Sequence, residues 1–243
     1  MKEVIIVTGG SRGIGAATVR KAAERGYAIC INYRNNRNAA ERLRDEISRN
    51  GGKAIAVAAD VSNEADVVRM FDTVDRELGP VTALVNNAAI LPKARPVRDM
   101  SFERVHEVFS TNVIGPLICA REAVRRMARS CGGRGGRIVN VSSIVAKYGS
   151  PNEANDYSGS KAALEVFTIG LAREVSSEGI RVNAVRPSMI HTEMVADRID
   201  RAHRVHPLKR PGTPEEVANT IMWLLSEEAS YVAGAIVDVN GGR

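Results

Sequence analysis

Aromatic residues are scarce in this chain, 4% of 243 residues with a single tryptophan. They do not interleave with the arginine clusters, so stacked nucleic-acid bases would have no platform, and no nucleic-acid partner is expected. Cysteine is scarcer. Cys30, Cys119 and Cys131 are an odd number at no metal-ligand spacing, which argues against a disulfide scaffold and a cysteine-built metal site. Cys30 and Cys119 sit in apolar segments and read as small buried hydrophobes. No run of ~18 apolar residues occurs, so no membrane-spanning helix or membrane partner is expected. Met1-Lys2-Glu3 leads directly into Val4-Ile5-Ile6-Val7, too short an apolar run for a secretory signal. A cytoplasmic location is expected.

What is present is ordinary for a globular protein: 44% apolar and 26% charged residues. Lysine and arginine exceed aspartate and glutamate by 34 to 28, a net charge of +6. One basic cluster, Arg121, Arg125, Arg126, Arg129, Arg134 and Arg137, lies largely in the last half of a helix, where cations suit the dipole. It reads as a solvated face. A second, Arg198, Arg201, Arg204, Lys209 and Arg210, falls in a long loop and is able to attract an anionic substrate. His191, His203 and His206 share that loop without a fixed ligand geometry, and no metal site is expected.

Strand and helix patterns alternate throughout. Apolar runs at Val4–Thr8, Ala28–Tyr33, Lys53–Ala58, Ala83–Asn86, Arg137–Ser142, Ile180–Arg186 and Ala235–Val239 predict seven strands. Helices are predicted at Ala16–Arg25, Ala39–Arg49, Glu64–Leu78, Ser101–Phe109, Val113–Arg129, Asn155–Ser177 and Pro214–Leu225. The strands are continuous apolar runs, the pattern of a parallel sheet covered on both faces. With no linker, repeat or low-complexity tract, residues 1–243 read as one α/β domain, a doubly wound seven-stranded Rossmann sheet. Pro187–Gly212 reads as one long irregular stretch, and loops of that length often bind ligands.

Thr8-Gly9-Gly10-Ser11-Arg12-Gly13-Ile14-Gly15 follows a strand and opens a helix. There a backbone turned by glycines directs N–H groups and a helix dipole toward phosphate. The spacing, Thr-Gly-x-x-x-Gly-x-Gly, resembles the signature of the short-chain dehydrogenase/reductase family. Further matching motifs follow in order: Asp60-Val61, Asn86-Asn87-Ala88-Ala89, Asn112, Ser142-Ser143, Tyr157-Ser158-Gly159-Ser160-Lys161, Arg181 to Pro187, and Asp238-Val239-Asn240-Gly241-Gly242. Together they span residues 4 to 242.

The resemblance implies a nicotinamide-dependent oxidoreductase, similar to sugar-dehydrogenase-like and 3-oxoacyl-reductase-like members, acting on a small carbonyl or secondary alcohol. Tyr157 and Lys161, four residues apart on one helix face, lie ~6 Å apart along the axis. An ammonium there is expected to lower the tyrosine pKa so that it exchanges a proton near neutral pH. Ser143, at the carboxyl end of a strand, is expected to polarise the substrate oxygen, with Ser142 competing for that role. The family usually spaces this serine and tyrosine one residue closer, and the extra residue is assigned to the Gly149–Asn155 loop. By resemblance, Asn112 completes the catalytic set through a water linked to Lys161. Lys161 also holds the nicotinamide ribose.

For the cofactor, Gly9, Ser11, Arg12, Gly13, Ile14 and Gly15 form the phosphate loop. The second strand ends in Tyr33-Arg34 with no acid nearby. A carboxylate there would accept the ribose 2′-hydroxyl of NAD and repel a 2′-phosphate, whereas Arg34 and Arg12 suit the phosphate. NADP(H) is therefore expected in preference to NAD(H). By resemblance, Asp60 with Val61 meets the adenine, and Asn87, Ala88, Tyr157, Lys161, Pro187, Ile190 and Thr192 line the remaining groove. Ser188 and Ala89 stand where glycine is common. Residues 187–212 are expected to bind substrate. The helix at Asn155–Ser177 is apolar almost all round, which points to an oligomer, and the resemblance implies a homo-tetramer built through it and Val113–Arg129. The alternatives are a catalytically idle nucleotide-binding or redox-sensing protein of the same fold and an NAD-linked sugar or alcohol dehydrogenase.

Overall fold

A computed structural model describes residues 3–243 apart from the side chains of residues 195–198. Met1, Lys2 and the Arg198 side chain thus lie outside the described residues. The elements are β1 (Val4–Val7), α1 (Gly13–Glu24), β2 (Ala28–Tyr33), α2 (Arg37–Arg49), β3 (Lys53–Ala58), α3 (Glu64–Glu77), β4 (Ala83–Asn86), α4 (Phe102–Phe109), α5 (Gly115–Met127), β5 (Gly136–Val141), α6 (Val145–Tyr148), α7 (Asn155–Val175), β6 (Ile180–Pro187), α8 (Ala202–Val205), α9 (Pro214–Leu224) and β7 (Ile236–Val239).

The seven strands form one parallel sheet in the order β3-β2-β1-β4-β5-β6-β7. Strand order reverses between β1 and β4, which pair at Ile5↔Ala83 and Val7↔Val85. The crevice beyond the carboxyl ends of these strands is where doubly wound sheets bind ligands. β1 is wholly buried because helices cover both faces of the sheet. One core layer packs Val67, Met70, Phe71, Cys119, Ala123 and Val175 against Ile6, Leu84 and Ile138. The other packs Val19, Leu43, Val217 and Ile221 against Ile5, Ile29 and Val139.

Local chemistry sets the helix starts. Asn36, Asn63 and Ser101 each accept a first-turn N–H. Thr213 and Glu216 form a reciprocal capping box with Pro214 in the first turn, which spares two orphan donors.

Two segments differ from the sequence expectation. Residues 187–212 are not irregular: Glu193–Arg201 is 3₁₀-helical and α8 follows. Ile190 and Gly212 form a β-bridge that closes the base of the segment, and the fully buried Ala202 anchors its middle. The two helices expected at Ser101–Phe109 and Val113–Arg129 are continuous through a π-helical turn, Ser110–Ile114. Pro116 explains the register change. It lacks the N–H that an α-helix would aim at the Asn112 carbonyl.

Candidate active site

Most of the residues singled out from the sequence gather at the carboxyl end of the sheet, around the switch point. Thr8 Oγ1 accepts the backbone N–H groups of both Asn87 and Ala88, each at 3.0 Å, and donates to Val85 O. Asn87 Nδ2 in turn donates to the Thr8 and Gly9 carbonyls at 2.9 and 3.0 Å. The glycine loop and the loop after β4 are thereby clamped together. Asn32 adds a second clamp: its Oδ1 accepts the Gly9 N–H at 3.1 Å and its Nδ2 donates to Ala59 O at 3.0 Å. Thr8 and Asn32 were absent from the sequence-based site residues. A polar residue in the otherwise apolar run Ala28–Tyr33 is the sequence signal for Asn32.

The loop is shaped for close approach. Gly9 and Gly13 have φ of +60° and +52°, the region that side chains with a Cβ disfavour. A Cβ on Gly15 would lie 2.3 Å from Gly9 O and 2.6 Å from Asn87 Nδ2. Arg12 stands at the N-cap of α1 and gives no side-chain cap, so the first-turn N–H groups point outward as donors for an anion. Gly15→Ala is therefore expected to break the Asn87 clamp and cost about 1–3 kcal/mol by overpacking. Thermal unfolding should fall by about 2–12 °C, with loss of nucleotide binding. A variant that melts and binds like wild type would exclude this role for the contact.

A cavity of about 230 Å³ opens beside the loop, lined among others by Ile14, Asn87, Ser143, Tyr157, Lys161 and Ile190, with Pro187 and Thr192 at its wall. The other cofactor candidates lie outside it. Arg34 Nη1 is 3.6 Å from Asp60 Oδ2, while Asp60 Oδ1 accepts the Ser62 N–H and hydroxyl at 2.9 and 2.7 Å. These residues sit with Tyr33 where β2 and β3 end side by side. Ser11, Arg12, Gly13 and Thr192 border a separate cleft, in which Arg12 pairs with Glu193 at 2.9 Å. Both arginines thus face carboxylates of the chain itself. Val61 is buried, and its carbonyl lies 2.9 Å from the position of a Gly115 Cβ, so it packs against the start of α5.

The two serine candidates separate clearly. Ser142 is buried and donates its hydroxyl to Glu165 Oε1 at 2.6 Å. Ser143 lies beside the Tyr157 hydroxyl and acts to lower its pKa. Lys161 Nζ donates to Val141 O at 2.8 Å and lies 5.7 Å from the centre of the Tyr157 ring. In the chain without cofactor, burial and not the neighbouring ammonium sets the Tyr157 phenol. Burial pushes the phenol up to about 12, opposed by Ser143. Burial also pushes the Lys161 ammonium down to about 8. Desolvation disfavours the charged form of each.

Asn112, fully buried, is outside the cavity wall. Its Oδ1 accepts the Ile90 N–H at 2.9 Å, and its Nδ2 donates to Ile90 O at 3.0 Å and Ser160 Oγ at 3.1 Å.

Relatives extend the full length of the chain. The family model described as enoyl-(acyl carrier protein) reductase matches residues 9–243. An uncharacterised oxidoreductase of Escherichia coli K12, YgfF, is 49% identical over 245 residues, covering 99% of each chain. The chain belongs to the short-chain dehydrogenase/reductase family. It is accordingly an oxidoreductase acting on CH–OH and C=O groups with NAD(P). The 3-oxoacyl-[acyl-carrier-protein] reductase of Synechocystis sp. PCC 6803 is 37% identical, covering 99% of this chain and 96% of that protein. Among solved structures, a blue fluorescent protein from a metagenomic library in complex with NADPH superposes with a TM-score of 0.92 at 33% identity. A short-chain dehydrogenase from Burkholderia cenocepacia J2315 in complex with NADP does so with 0.92 at 30%. Each covers 99% of this chain and 97% of its own.

Beneath the cavity of this short-chain dehydrogenase/reductase lies an ionic network that sequence reading missed. Arg186 on β6 forks onto Glu165 of α7 at 2.9 and 2.6 Å and reaches Asp238 of β7 at 2.8 Å. Ser142 joins it from the end of β5. The four elements that carry Ser143, Tyr157 and Lys161 or flank them are tied together through it, with Ser142 reaching the cavity wall. No local pattern links residues this far apart in sequence.

Proposed function

We propose that this protein transfers hydride between NADP(H) and a carbonyl or secondary alcohol, with Ser143, Tyr157, Lys161 and Asn112 as its working set. The observation that carries the proposal is the convergence of Ser143, Tyr157 and Lys161 on one cavity whose wall also includes Ile14 of the glycine loop and Asn87. When bound, the cofactor supplies the hydride, or accepts it in the reverse direction.

The residues present suit a dinucleotide. The glycine cradle of residues 9, 13 and 15 and the uncapped start of α1 would take the phosphates, with Ser11 and Ile14 beside them. Asp60 and Val61 would meet the adenine, and Asn87, Ala88, Pro187, Ile190 and Thr192 the nicotinamide half. Lys161 would hold the ribose. Tyr157 donates its proton to the substrate oxygen in reduction and recovers it in oxidation, while Ser143 orients that oxygen and the phenol. Asn112 acts by position: its amide fixes Ile90 and Ser160, and so the loop after Asn87 against the first turn of α7. Residues 1–243 work as one unit, with 187–212 as the substrate-binding segment.

NADP(H) is preferred to NAD(H) because Arg34 and Arg12 are available to a 2′-phosphate. Their present partners are weak competitors. The Arg12–Glu193 and Arg34–Asp60 side chains are 65%/77% and 47%/31% exposed, and pairs this wet contribute at most about 1 kcal/mol. A phosphate–guanidinium bond is stronger, about 1.5–3 kcal/mol. Arg34→Ala is therefore expected to weaken NADPH roughly 10–100-fold and leave NADH unchanged, read by fluorescence titration. Equal affinity of the wild-type protein for both cofactors would refute the preference.

Homo-tetramer formation is supported by apolar side chains that the single chain leaves in water, Ile114 and Val166 beside α5 and α7, and Trp223 and Tyr231 at the other edge. Among the described residues, no helix is long and apolar enough to cross a membrane.

A further inference from the structure

We infer that the substrate carries an anionic group, a carboxylate or a phosphate, and that Arg243 is its binding partner. The inference rests on the proposed reading of the cavity as the substrate site, and it names the substrate class that site takes.

Arg243 lines the same cavity as Ser143 and Tyr157. It is partly buried. Every other partly buried arginine among the described residues has its guanidinium on a carboxylate or, for Arg181, on the backbone carbonyls of Ser226 and Val232. Arg243 has neither. A cation partly withdrawn from water without a counter-charge is unfavourable, and an anion entering the cavity offsets that cost. A guanidinium also suits the task, since its planar fork matches carboxylate and phosphate in two parallel hydrogen bonds.

The turn that carries Arg243 is braced. Asn240 accepts the Gly242 N–H through Oδ1 and donates through Nδ2 to the Arg243 carbonyl. Leu208 N–H donates to Gly241 O at 3.2 Å. Gly242, with φ of +87°, sits so close to Pro207 that a Cβ would meet its ring at 3.1 Å. The charge is felt inside: together with burial it holds the His206 imidazole below its ordinary range. His206 in turn shares a 2.7 Å hydrogen bond with Ser188, which also lines the cavity. Arg201 and Glu153 lie on the same wall, bonded to one another at 2.7 Å, so they offset each other. Among the described residues of this wall, Lys161 is held by the Val141 carbonyl, and Arg243 is the arginine open to a ligand. Of the second basic cluster seen in the sequence, Arg204 and Lys209 are exposed and Arg210 is paired with Glu216.

Three matched substrate pairs test this, each followed by NADPH oxidation: acetoacetate and its methyl ester, 4-oxopentanoate and its methyl ester, and dihydroxyacetone phosphate and dihydroxyacetone. The expected result is at least a tenfold preference in kcat/KM for the anionic member of one pair. Arg243→Gln should remove that preference, with the neutral member changed less than twofold, and Arg243→Lys should restore part of it. Which pair responds separates carboxylate from phosphate. Equal use of charged and neutral members, or a glutamine variant that slows both alike, overturns the inference and leaves Arg243 a structural residue. If the wild-type protein binds NADPH yet reduces none of the six, the proposed substrate site itself fails, and the inference with it.

Discussion

Replacing Tyr157 by phenylalanine is expected to lower turnover about 10²–10⁴-fold, the usual worth of a positioned proton donor, while NADPH affinity stays within about twofold. The ring is buried against the cavity wall, and phenylalanine preserves its packing. What is lost is the hydroxyl that faces Ser143 and holds the transferable proton. With the phenol raised to about 12, Tyr157 is fully protonated at neutral pH, poised as an acid. Carbonyl reduction by the wild-type protein should therefore be flat through pH 7, whereas alcohol oxidation, which needs the phenolate, should climb with pH. Steady-state rates in both directions, with a cofactor titration of the variant, check this. Retention of a tenth or more of wild-type turnover would remove Tyr157 from the proton-transfer role. Loss of turnover with intact cofactor binding would also count against an idle nucleotide-binding protein.

Lys161→Met should abolish measurable turnover and change how stability depends on pH. In the folded chain the ammonium is pushed down to about 8 from 10.5. Below pH 8 both folded and unfolded chains carry the proton, and the burial cost is constant. Between pH 8 and 10.5 the unfolded chain holds a proton that the folded chain has released, so wild-type stability rises with pH. At about 1.36 kcal/mol per pH unit this amounts to about 3 kcal/mol across the window. The methionine variant lacks that rise. Urea unfolding of both proteins at pH 7 and pH 10.5 should show wild type gaining about 3 kcal/mol relative to the variant. Parallel curves would mean that Lys161 titrates as it does in water.

The sheet was legible in the sequence because runs such as Val4–Val7 and Ile138–Val141 can only be strands covered on both faces, and because glycine and proline punctuate the elements between them. Boundaries moved by a few residues, as at α1, which begins at Gly13 rather than Ala16. The glycine loop and the four-residue step from Tyr157 to Lys161 were visible because both are local patterns. Three-dimensional contacts were not. Ser142 and Ser143 are neighbours in sequence with the same side chain, and only Glu165 on α7, which takes the Ser142 hydroxyl, sets one apart from the other beside Tyr157. Asn112 could be singled out by resemblance, yet its partners Ile90 and Ser160 are brought to it by the π-helical turn. The ordered course of residues 187–212 depends on the Ile190–Gly212 bridge, which no periodicity reveals.

By itself, then, the sequence determined the alternation of elements, the parallel sheet, the phosphate loop and the tyrosine–lysine face, since each follows from side-chain type at short, regular spacing. Only the tertiary structure decided the balance of charge around them. Burial, rather than the neighbouring ammonium, dominates Tyr157 and Lys161. Glu165 and Asp238 take up Arg186, while Arg243 has no counter-ion among the described residues at the cavity wall. Desolvation and ion pairing depend on distances between residues remote in the chain, and the folded sheet sets those distances.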